Sequence, residues 1–272
     1  MYIYIDDKEL FRFANFRLLE SVQFTDDPNK AEVLCVGITR IIDDEYMIPF
    51  KNVKIILSPS TAIDHIQISK DIEIIKLIPD EIGYITASAE FALFLILSLL
   101  RKAKQVLNEK VVEASDVDGK IIGVLGHGRI GKHLEKYLTA LNATVIWHDI
   151  AQESYTKKYI LENSAVIVVA VSAIESNKDY INKEDFFLMK QCPYFVNISR
   201  GFIVNEDDLI YALEHKQIAG MALDVVTDRS KFNGYASWDN VILTSHVAGT
   251  TLESHKKACD FVIRKLYQKS LF

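Results

Sequence analysis

The sequence has few features of exported, membrane-spanning or nucleic-acid-binding proteins. Its start, MYIYIDDKEL, lacks the basic and then apolar layout of a signal peptide. The longest apolar stretch, Phe91 to Leu100, is only about half of a membrane span and is followed by two basic residues, which indicates a buried helix. The 31 Lys and Arg residues form no long basic run, and the formal net charge is -6. We therefore expect neither nucleic acid nor a membrane as a partner.

Cysteine is scarce, since the chain has only Cys35, Cys192 and Cys259, and these are far apart. Their spacing fits no metal-binding motif, so we predict no metal site. Isolated thiols in a chain without a secretion signal are typical of a reducing compartment, and we expect a cytoplasmic protein. The 272 residues suffice for two domains, and the apolar share of 49% supports packed cores.

Apolar runs typical of strands alternate with periodic runs typical of helices along most of the chain. This alternation predicts parallel sheets with crossover helices. Early strands are expected at 2–5, 33–38, 53–57 and 72–78. Helices are expected between them at 11–20 and around 41–47. A long helix from Ala87 to about Lys110 is expected to lead from a first domain into a second.

After Gly119 the alternation becomes regular and predicts six strands separated by amphipathic helices. The strands are KIIGVLG, ATVIWHD, AVIVVAV, YFVNIS, AGMALDVV and VILTS. The helices are RIGKHLEKYLTAL, YTKKYILENS, KEDFFLMK and DDLIYALEHK. Six strands in about 125 residues are the count of a full dinucleotide-binding domain. A last helix, predicted over 250–267, is expected to return to the first domain.

A glycine-rich turn joins the first of these strands to the first of these helices. Gly126, Gly128 and Gly131 fit the pattern G-x-G-x-x-G. In that pattern the first glycine allows a tight turn, the second lets the backbone approach a pyrophosphate, and the third lets the helix pack on the strand. Arg129 and Ile130 open the helix, whose N-terminus offers backbone N–H groups and a partial positive charge to phosphates.

The acidic residue that completes this motif is Asp149, at the end of the next strand. Its carboxylate can accept hydrogen bonds from ribose hydroxyls and would repel a 2′-phosphate. The sequence therefore predicts a site for NAD (NADH) rather than NADP. The alternative is a glycine turn in an α/β protein that binds no nucleotide.

Five separate blocks, in order, carry a resemblance to a known family. They are STAIDHI (60–66), TASAEFAL (86–93), GHGRIGK with WHD (126–132, 147–149), FVNISRGFIVNEDDLIYAL (195–213), and ALDV with NVILTSHVAGTT (222–225, 240–251). From about Ala31 to Thr251 the sequence resembles the D-isomer-specific 2-hydroxyacid dehydrogenases, which include glycerate, phosphoglycerate and glyoxylate/hydroxypyruvate enzymes.

The resemblance implies an α/β protein of two doubly wound parallel-sheet, Rossmann-like domains with the active-site cleft between them. It implies a substrate-binding domain of residues 1–92 plus 249–272 and an NAD-binding domain of residues 93–248. It also implies a homodimer. The implied reaction transfers a hydride between nicotinamide and C2 of a small D-2-hydroxy acid or 2-keto acid, such as glycerate, hydroxypyruvate or glyoxylate.

The resemblance also implies roles for individual residues. His246 matches the catalytic histidine of the family, and Arg200 matches its substrate arginine. A guanidinium can fork onto a carboxylate and polarise a carbonyl group. Thr61 and Ala62 match a loop that binds the substrate carboxylate, although its two glycines are replaced. Arg40 could reach an anionic tail of the substrate, and a solvated arginine is the alternative.

The third catalytic group departs from the family pattern. The family has a glutamate five residues after the aspartate of ALDV, which is Asp224 here, and that position is Arg229. A cation there would lower the pKa of His246, where a carboxylate would raise it. Asp228 is the candidate replacement. The departure leaves open a non-catalytic NAD-binding sensor or interaction protein, and a nucleotide-dependent transferase is a third interpretation.

Further residues are implied at the cofactor by the same resemblance. They are Val171, Ser172, Ile198, Ser199, Asp224, Ala248 and Gly249. The histidines other than His246 are interpreted as surface or local bonding groups, and His127 within the glycine turn is included among them.

Overall fold

The structure of the protein, a computed structural model, describes residues 1–12, 14–19, 22–38, 40–152 and 154–270. The chain divides into two compact units. Unit 1 consists of Met1–Ile85 and Thr250–Phe272, and unit 2 consists of Thr86–Gly249. Each unit has its own parallel sheet.

Helices and short strands alternate in both units. The α-helices are α1 (Lys8–Phe11), α2 (Ala87–Leu100), α3 (Ala103–Leu107), α4 (Arg129–Ala140), α5 (Lys157–Asn163), α6 (Lys183–Leu188), α7 (Glu206–Glu214) and α8 (Leu252–Ser270). The strands of unit 1 are β1 (Tyr2–Ile5), β2 (Gln23–Phe24), β3 (Val33–Cys35), β4 (Ile42–Asp43), β5 (Ile55–Ser58), β6 (Ile66–Gln67) and β7 (Glu73–Lys76). Those of unit 2 are β8 (Ile121–Leu125), β9 (Thr144–His148), β10 (Val166–Val169), β11 (Tyr194–Asn197), β12 (Gly220–Leu223) and β13 (Val241–Leu243).

The sheet of unit 1 is parallel, with the strand order β2-β1-β3-β5-β7, and β4 and β6 pair separately. Successive residues of β3 face two different cores. Val33 and Cys35 pack with apolar residues of α8, whereas Leu34 packs with Met47 and Phe50. Both faces of β3 are therefore buried, which explains its uninterrupted apolar sequence.

The two helices predicted between the early strands are not formed as expected. Within 11–20, α1 ends at Phe11 and a 3-10 helix covers Phe16–Leu18, while Phe13 and Glu20 lie outside the described residues. The helix predicted around 41–47 is wrong, because this segment forms β4 and turns. Ile42 and Met47 are buried without being helical, whereas Ile41 is 57% exposed. The spacing of the two buried side chains is compatible with a helix, which explains the wrong prediction.

The sheet of unit 2 has six parallel strands in the order β9-β8-β10-β11-β12-β13. Val166 and Val168 of β10 face a core that includes α2 and α4. Ile167 and Val169 face the opposite core, which includes α5, α6 and α7. Helices thus cover both faces of the sheet. The predicted doubly wound α/β class, the six strands and the four helices between them are confirmed.

The strand order of unit 2 reverses beside β8, since the chain places β9 on one side of it and β10 on the other. The connections that leave the carboxyl ends of β8 and β10 therefore run to opposite faces of the sheet. Such a switch point leaves a crevice at the sheet edge, where open α/β sheets bind ligands. The glycine turn follows β8 at this point.

The long helix predicted from Ala87 to about Lys110 is two helices, and in this respect the prediction is corrected. Lys102, between α2 and α3, has a left-handed φ of 50°, which interrupts the helical hydrogen bonding. The Nζ atom of Lys104 then donates to the carbonyl oxygens of Ala236, Trp238 and Val241, just before and at the start of β13, and fixes α3 there. Among the helices that the structure describes, none combines the length and apolar character needed to cross a membrane.

Candidate functional site

The glycine turn between β8 and α4 is compact because two of its residues lack side chains. Gly126 has a φ of 99°, in the left-handed region that glycine adopts most readily. A Cβ on Gly126 would lie 2.6 Å from the carbonyl atoms of Ala170, which follows β10. A Cβ on Gly131 would lie 2.3 Å from the oxygen of Gly126. The turn therefore contacts the end of β10, and α4 packs directly on the turn.

The beginning of α4 has the space and the donors that a pyrophosphate requires. A Cβ on Gly128 would meet nothing within 4 Å, so the turn is open at this residue. The N-cap residue of this 12-residue helix is Gly128, which has no side chain to cap the first turn, and a helix N-terminus presents backbone N–H groups and a partial positive charge. Arg129 is the first helical residue, and burial lowers the pKa of its guanidinium. The residues present therefore fit the diphosphate of a dinucleotide.

Asp149 lies directly after β9 and is held by the backbone. Its Oδ2 accepts a hydrogen bond of 2.8 Å from the N–H of His127, and its Oδ1 accepts one of 2.9 Å from the N–H of Ala151. Partial burial acts to raise the pKa of Asp149, but these two hydrogen bonds outweigh it, and the pKa is lowered from its usual value. The carboxylate is thus kept ionised, and each oxygen retains a lone pair for a ribose hydroxyl.

His127 has a larger role in the turn than its sequence position suggested. Its ring is 7% exposed and stacks on Trp147 of β9, with the ring centres 3.8 Å apart and the planes 3° from parallel. Its Nε2 atom lies 2.6 Å from Oε2 of Glu135 on α4. The side chain therefore links the turn to both neighbouring elements, which agrees with the interpretation of His127 as a local bonding group and identifies its partners.

The ends of β10 and β11 bring four predicted cofactor residues together. The Oγ atom of Ser199 donates to the oxygen of Val171 at 2.6 Å, which joins the two connections. Ile198 and Ser199 are buried, and Ser172 is exposed. The side chain of Asn197 accepts from the N–H of Ser199 and donates to the oxygen of Arg200, so it shapes the turn after β11.

Arg200 and His246 lie side by side although they are far apart in the sequence. Arg200 is the third residue after β11, and His246 is the third residue after β13. Nη1 of the arginine lies 3.4 Å from Nε2 of the histidine. Because a guanidinium can only donate, Nε2 accepts in this contact when the imidazole is neutral and carries its proton on Nδ1. Nη1 also donates to the oxygen of Ser199 at 2.9 Å.

The loop that carries His246 is held in a strained conformation by Asp224, at the end of β12. His246 has a left-handed φ of 56°, and its N–H donates to the Asp224 oxygen at 2.8 Å. The carboxylate of Asp224 accepts from the N–H groups of Val247 (2.9 Å) and Ala248 (3.0 Å) and from Oγ1 of Thr244 (2.6 Å). Asp224 is only 1% exposed. Its carboxylate is therefore directed at the loop, which it holds through these bonds. Non-glycine residues in this conformation are retained where the surroundings enforce it, often at functional sites.

Asp228 and Arg229 lie in the connection after β12. Nη1 of Arg229 donates to the oxygen of Thr244 at 2.8 Å, two residues before His246. Oδ1 of Asp228 accepts from the N–H (2.9 Å) and the hydroxyl (2.5 Å) of Ser230, and these bonds lower the pKa of Asp228. The carboxylate of Glu206 accepts from the N–H groups of Thr227 and Asp228.

In unit 1, the loop after β5 contains Thr61 and Ala62, both half-buried. The Oγ atom of Ser60 donates to the oxygen of Ala62 at 2.9 Å and closes the loop. Arg40 does not project freely, because Nη1 lies 2.9 Å from Oδ1 of Asp6. The side chain of Arg40 is 60% exposed, so this is a surface ion pair of a largely solvated arginine.

Three functional contacts were missed by the sequence interpretation. They involve His127 with Trp147 and Glu135, Asn197 in the turn after β11, and Glu206 below the Asp228 loop. Asn197 and Glu206 are polar residues at strand or helix ends, and both are nearly fully buried. A polar residue within an apolar strand, as in YFVNIS, is the signal that could have identified Asn197.

The switch point, the glycine turn and the Asp149 carboxylate define unit 2 as a dinucleotide-binding domain of the NAD type. Among the described residues there is no cluster of His, Cys, Asp or Glu side chains suited to a metal ion.

Comparison with known proteins gives the family. Residues 94–248 match the family model of the D-isomer specific 2-hydroxyacid dehydrogenase, NAD binding domain. The chain therefore belongs to the D-isomer-specific 2-hydroxyacid dehydrogenases, and the predicted family, the enzyme class and NAD as the cofactor are confirmed.

Relatives and solved structures agree with this assignment. The chain is 29% identical over 264 residues to glyoxylate reductase of Thermofilum pendens, which covers 88% of this chain and 78% of the relative. It is 27% identical over 282 residues to glyoxylate reductase of Pyrococcus furiosus, covering 92% and 81%. The fold is similar to D-lactate dehydrogenase from Aquifex aeolicus, crystallised with NAD and lactic acid, with a TM-score of 0.81, 21% identity and coverage of 100% and 96%.

Proposed function

We propose that this chain transfers a hydride between NADH and C2 of a small 2-keto acid of the glyoxylate or hydroxypyruvate kind, and in reverse oxidises the D-2-hydroxy acid, such as glycerate. The observation that carries the proposal is the contact between Arg200 and His246 at neighbouring strand ends, 3.4 Å apart. The names of the relatives from Thermofilum pendens and Pyrococcus furiosus support glyoxylate as the first substrate to test.

Arg200 and His246 perform complementary tasks in this proposal. The planar guanidinium of Arg200 binds the substrate carboxylate and polarises the carbonyl oxygen. His246, protonated at Nε2, donates the proton that this oxygen needs as C2 is reduced. NADH, when bound, supplies the hydride. Hydride at C2 and the histidine proton at oxygen together convert the keto acid into the hydroxy acid, and His246 is left neutral.

Two further groups complete the proposed site. We assign Asp228 as the acidic partner of His246, supported by its place in the connection whose next residue, Arg229, bonds the segment leading into His246. We assign the loop at Thr61 and Ala62 to the substrate carboxylate, supported by its closed, half-buried geometry. Thr61 offers a hydroxyl and the loop offers backbone N–H groups, both suited to a carboxylate.

The experiment is the oxidation of NADH, followed at 340 nm, with glyoxylate, hydroxypyruvate and pyruvate as substrates. We expect turnover with at least one of them, a loss of kcat of about 100-fold or more in His246→Asn, because one acid–base group contributes about that factor, and an increase of KM in Arg200→Gln. Arg101, exposed on unit 2 after α2, provides the control variant Arg101→Gln. Absence of turnover with all three acids, combined with tight NADH binding, would reject the proposal in favour of an NAD sensor.

We also propose that the protein is a cytoplasmic homodimer that binds no nucleic acid or membrane. The net charge of -6 supports the absence of nucleic acid. All three cysteines are free thiols, as expected in a reducing compartment. Exposed apolar residues on α2 and α3 support an interface on this side of unit 2, and they include Phe94 and Leu107, which are 55% and 82% exposed.

A further inference from the structure

His127 combines a position in the glycine turn with an unusual set of contacts. Its backbone N–H is the donor that holds Oδ2 of Asp149, and its backbone oxygen accepts from the side chain of Gln152. Its ring is held between the indole of Trp147 and the carboxylate of Glu135. One residue thus connects the turn, α4, β9 and the segment after β9.

Packing alone does not require a histidine at this position. Nδ1 of His127 is buried and forms no hydrogen bond with any described residue, and a buried polar atom without a partner is unfavourable. A phenylalanine has a similar shape, would stack on the same indole, and would bury no unpaired nitrogen. What only the histidine supplies is the bond from Nε2 to Glu135, which fixes the ring relative to α4.

We propose that His127 is a specificity-determining residue for the cofactor, because its clamped ring fixes the backbone N–H that orients Asp149 toward the ribose. The side chain acts through the turn and not by touching the nucleotide. With the ring held at Trp147 and Glu135, the N–H of residue 127 stays at one place, and the Asp149 carboxylate it holds accepts ribose hydroxyls and repels a 2′-phosphate. When the ring is released, the turn and the carboxylate gain freedom, so NADH loses binding energy while NADPH is repelled less.

This inference rests on the NAD site and is independent of the proposed substrate, so it is tested by binding. Dissociation constants for NADH and NADPH are measured with the full-length chain by the fluorescence of the reduced nicotinamide, and thermal unfolding is recorded for each variant. The variants are His127→Ala, His127→Phe and Glu135→Gln. The matched control is His215→Ala, because His215 also stacks on an aromatic ring, Tyr211, at 3.7 Å, but lies at the end of α7.

In His127→Ala we expect the Kd for NADH to rise about tenfold, or about 1.4 kcal/mol, and the Kd for NADPH to change by less than about twofold. The preference for NADH therefore falls. Glu135→Gln should lower this preference about threefold, because it replaces a charge-assisted bond by a neutral one, and a charge-assisted bond is roughly twice as strong. We expect about the same from His127→Phe, which keeps the stacking on Trp147 but loses the bond to Glu135. His127→Phe should melt at or above the temperature of the unsubstituted chain, since no buried nitrogen is left unpaired.

Two results would overturn the inference. One is an equal rise of both dissociation constants, which would mean that the ring only supports the turn as a whole. The other is an unchanged preference in His127→Phe and Glu135→Gln, which remain informative if His127→Ala fails to fold. A failure of the proposed hydroxy-acid chemistry would not affect either readout, and a chain that binds neither nucleotide would reject the NAD site itself.

Discussion

The backbone of His246, the proposed proton donor, has a left-handed conformation whose energetic cost is offset by hydrogen bonds to its neighbours. A left-handed backbone at a non-glycine residue costs on the order of 1–3 kcal/mol. Asp224 offsets this cost with hydrogen bonds to the N–H groups of residues 246, 247 and 248. These backbone bonds help to hold the His246 side chain beside Arg200.

Arg229 provides a test of how charge near His246 sets the pH range of the reaction. Its guanidinium bonds the oxygen of Thr244, two residues before His246. Replacing it by a carboxylate, Arg229→Glu, favours the protonated imidazole, which is the proton donor in the proposed reaction. We expect the rate of keto-acid reduction to persist to higher pH by about one unit, because a nearby opposite charge shifts a pKa by about that much or more.

The measurement is kcat/KM for keto-acid reduction from pH 5 to pH 9. The neutral variant Arg229→Gln separates the loss of the positive charge from the gain of a negative one, and we expect it to fall between the two. Identical pH profiles for all three proteins would show that residue 229 does not influence His246.

At single positions, the sequence could predict a candidate site residue where the chemistry of the site favours a particular residue type. The sequence singled out Gly126, Asp149, Arg200 and His246 as candidates, and the structure places Gly126 and Asp149 at one turn and Arg200 beside His246, while their roles stay predictions. The contact of His127 with Glu135 could not be predicted, since it depends on how α4 lies against the turn. The sequence could not predict the buried contacts of Asp224 with the loop after β13 either, because the two segments are 20 or more residues apart.

At the scale of elements, the junction of β8 and α4 depends on two glycines for different reasons. In Gly131→Ala the new Cβ would lie 2.3 Å from the oxygen of Gly126, so α4 must move. We expect a loss of about 1–3 kcal/mol in the free energy of unfolding, typical of overpacking. In Gly128→Ala the new Cβ meets no protein atom within 4 Å, so stability should be nearly unchanged while the methyl group obstructs the diphosphate.

Urea unfolding and NADH titration of both variants separate these effects. Gly131→Ala should lose stability, and Gly128→Ala should lose NADH affinity without a comparable loss of stability. A normal NADH affinity in Gly128→Ala would contradict the assignment of this turn to the diphosphate.

The strands of unit 2 were predictable because both faces of the sheet are buried, and such strands appear as uninterrupted apolar runs like VIVV in β10. In unit 1 the same reasoning located β1, β3, β5 and β7 but not the crossovers. The segment with Met47 and Phe50 buries apolar side chains from turns, and a sequence cannot distinguish this from a short amphipathic helix by spacing alone.

At the scale of the whole molecule, the proposed homodimer predicts a mass of twice 30.9 kDa in solution. Light scattering coupled to size-exclusion chromatography measures it. Leu107→Asp introduces a charge into the apolar surface on α3 and should shift the mass to that of a monomer, since burying an unpaired charge in an interface is unfavourable.

The control for this experiment is Phe24→Asp, which changes an apolar residue of unit 1 that is 56% exposed. We expect its mass to equal that of the unsubstituted chain. A monomeric unsubstituted chain would refute the dimer, and an unchanged mass in Leu107→Asp would place the interface elsewhere.

The hydrogen bonds that Asp224 accepts from backbone N–H groups determine which neighbouring residues can be replaced without losing them. Because the carboxylate recognises N–H groups that every residue except proline possesses, the side chains at 247 and 248 do not contribute to holding the loop through these bonds. Val247 is half-buried, so replacing its side chain leaves the bond to Asp224 in place. Ala248 is 5% exposed, so packing and not this bond limits what can replace it.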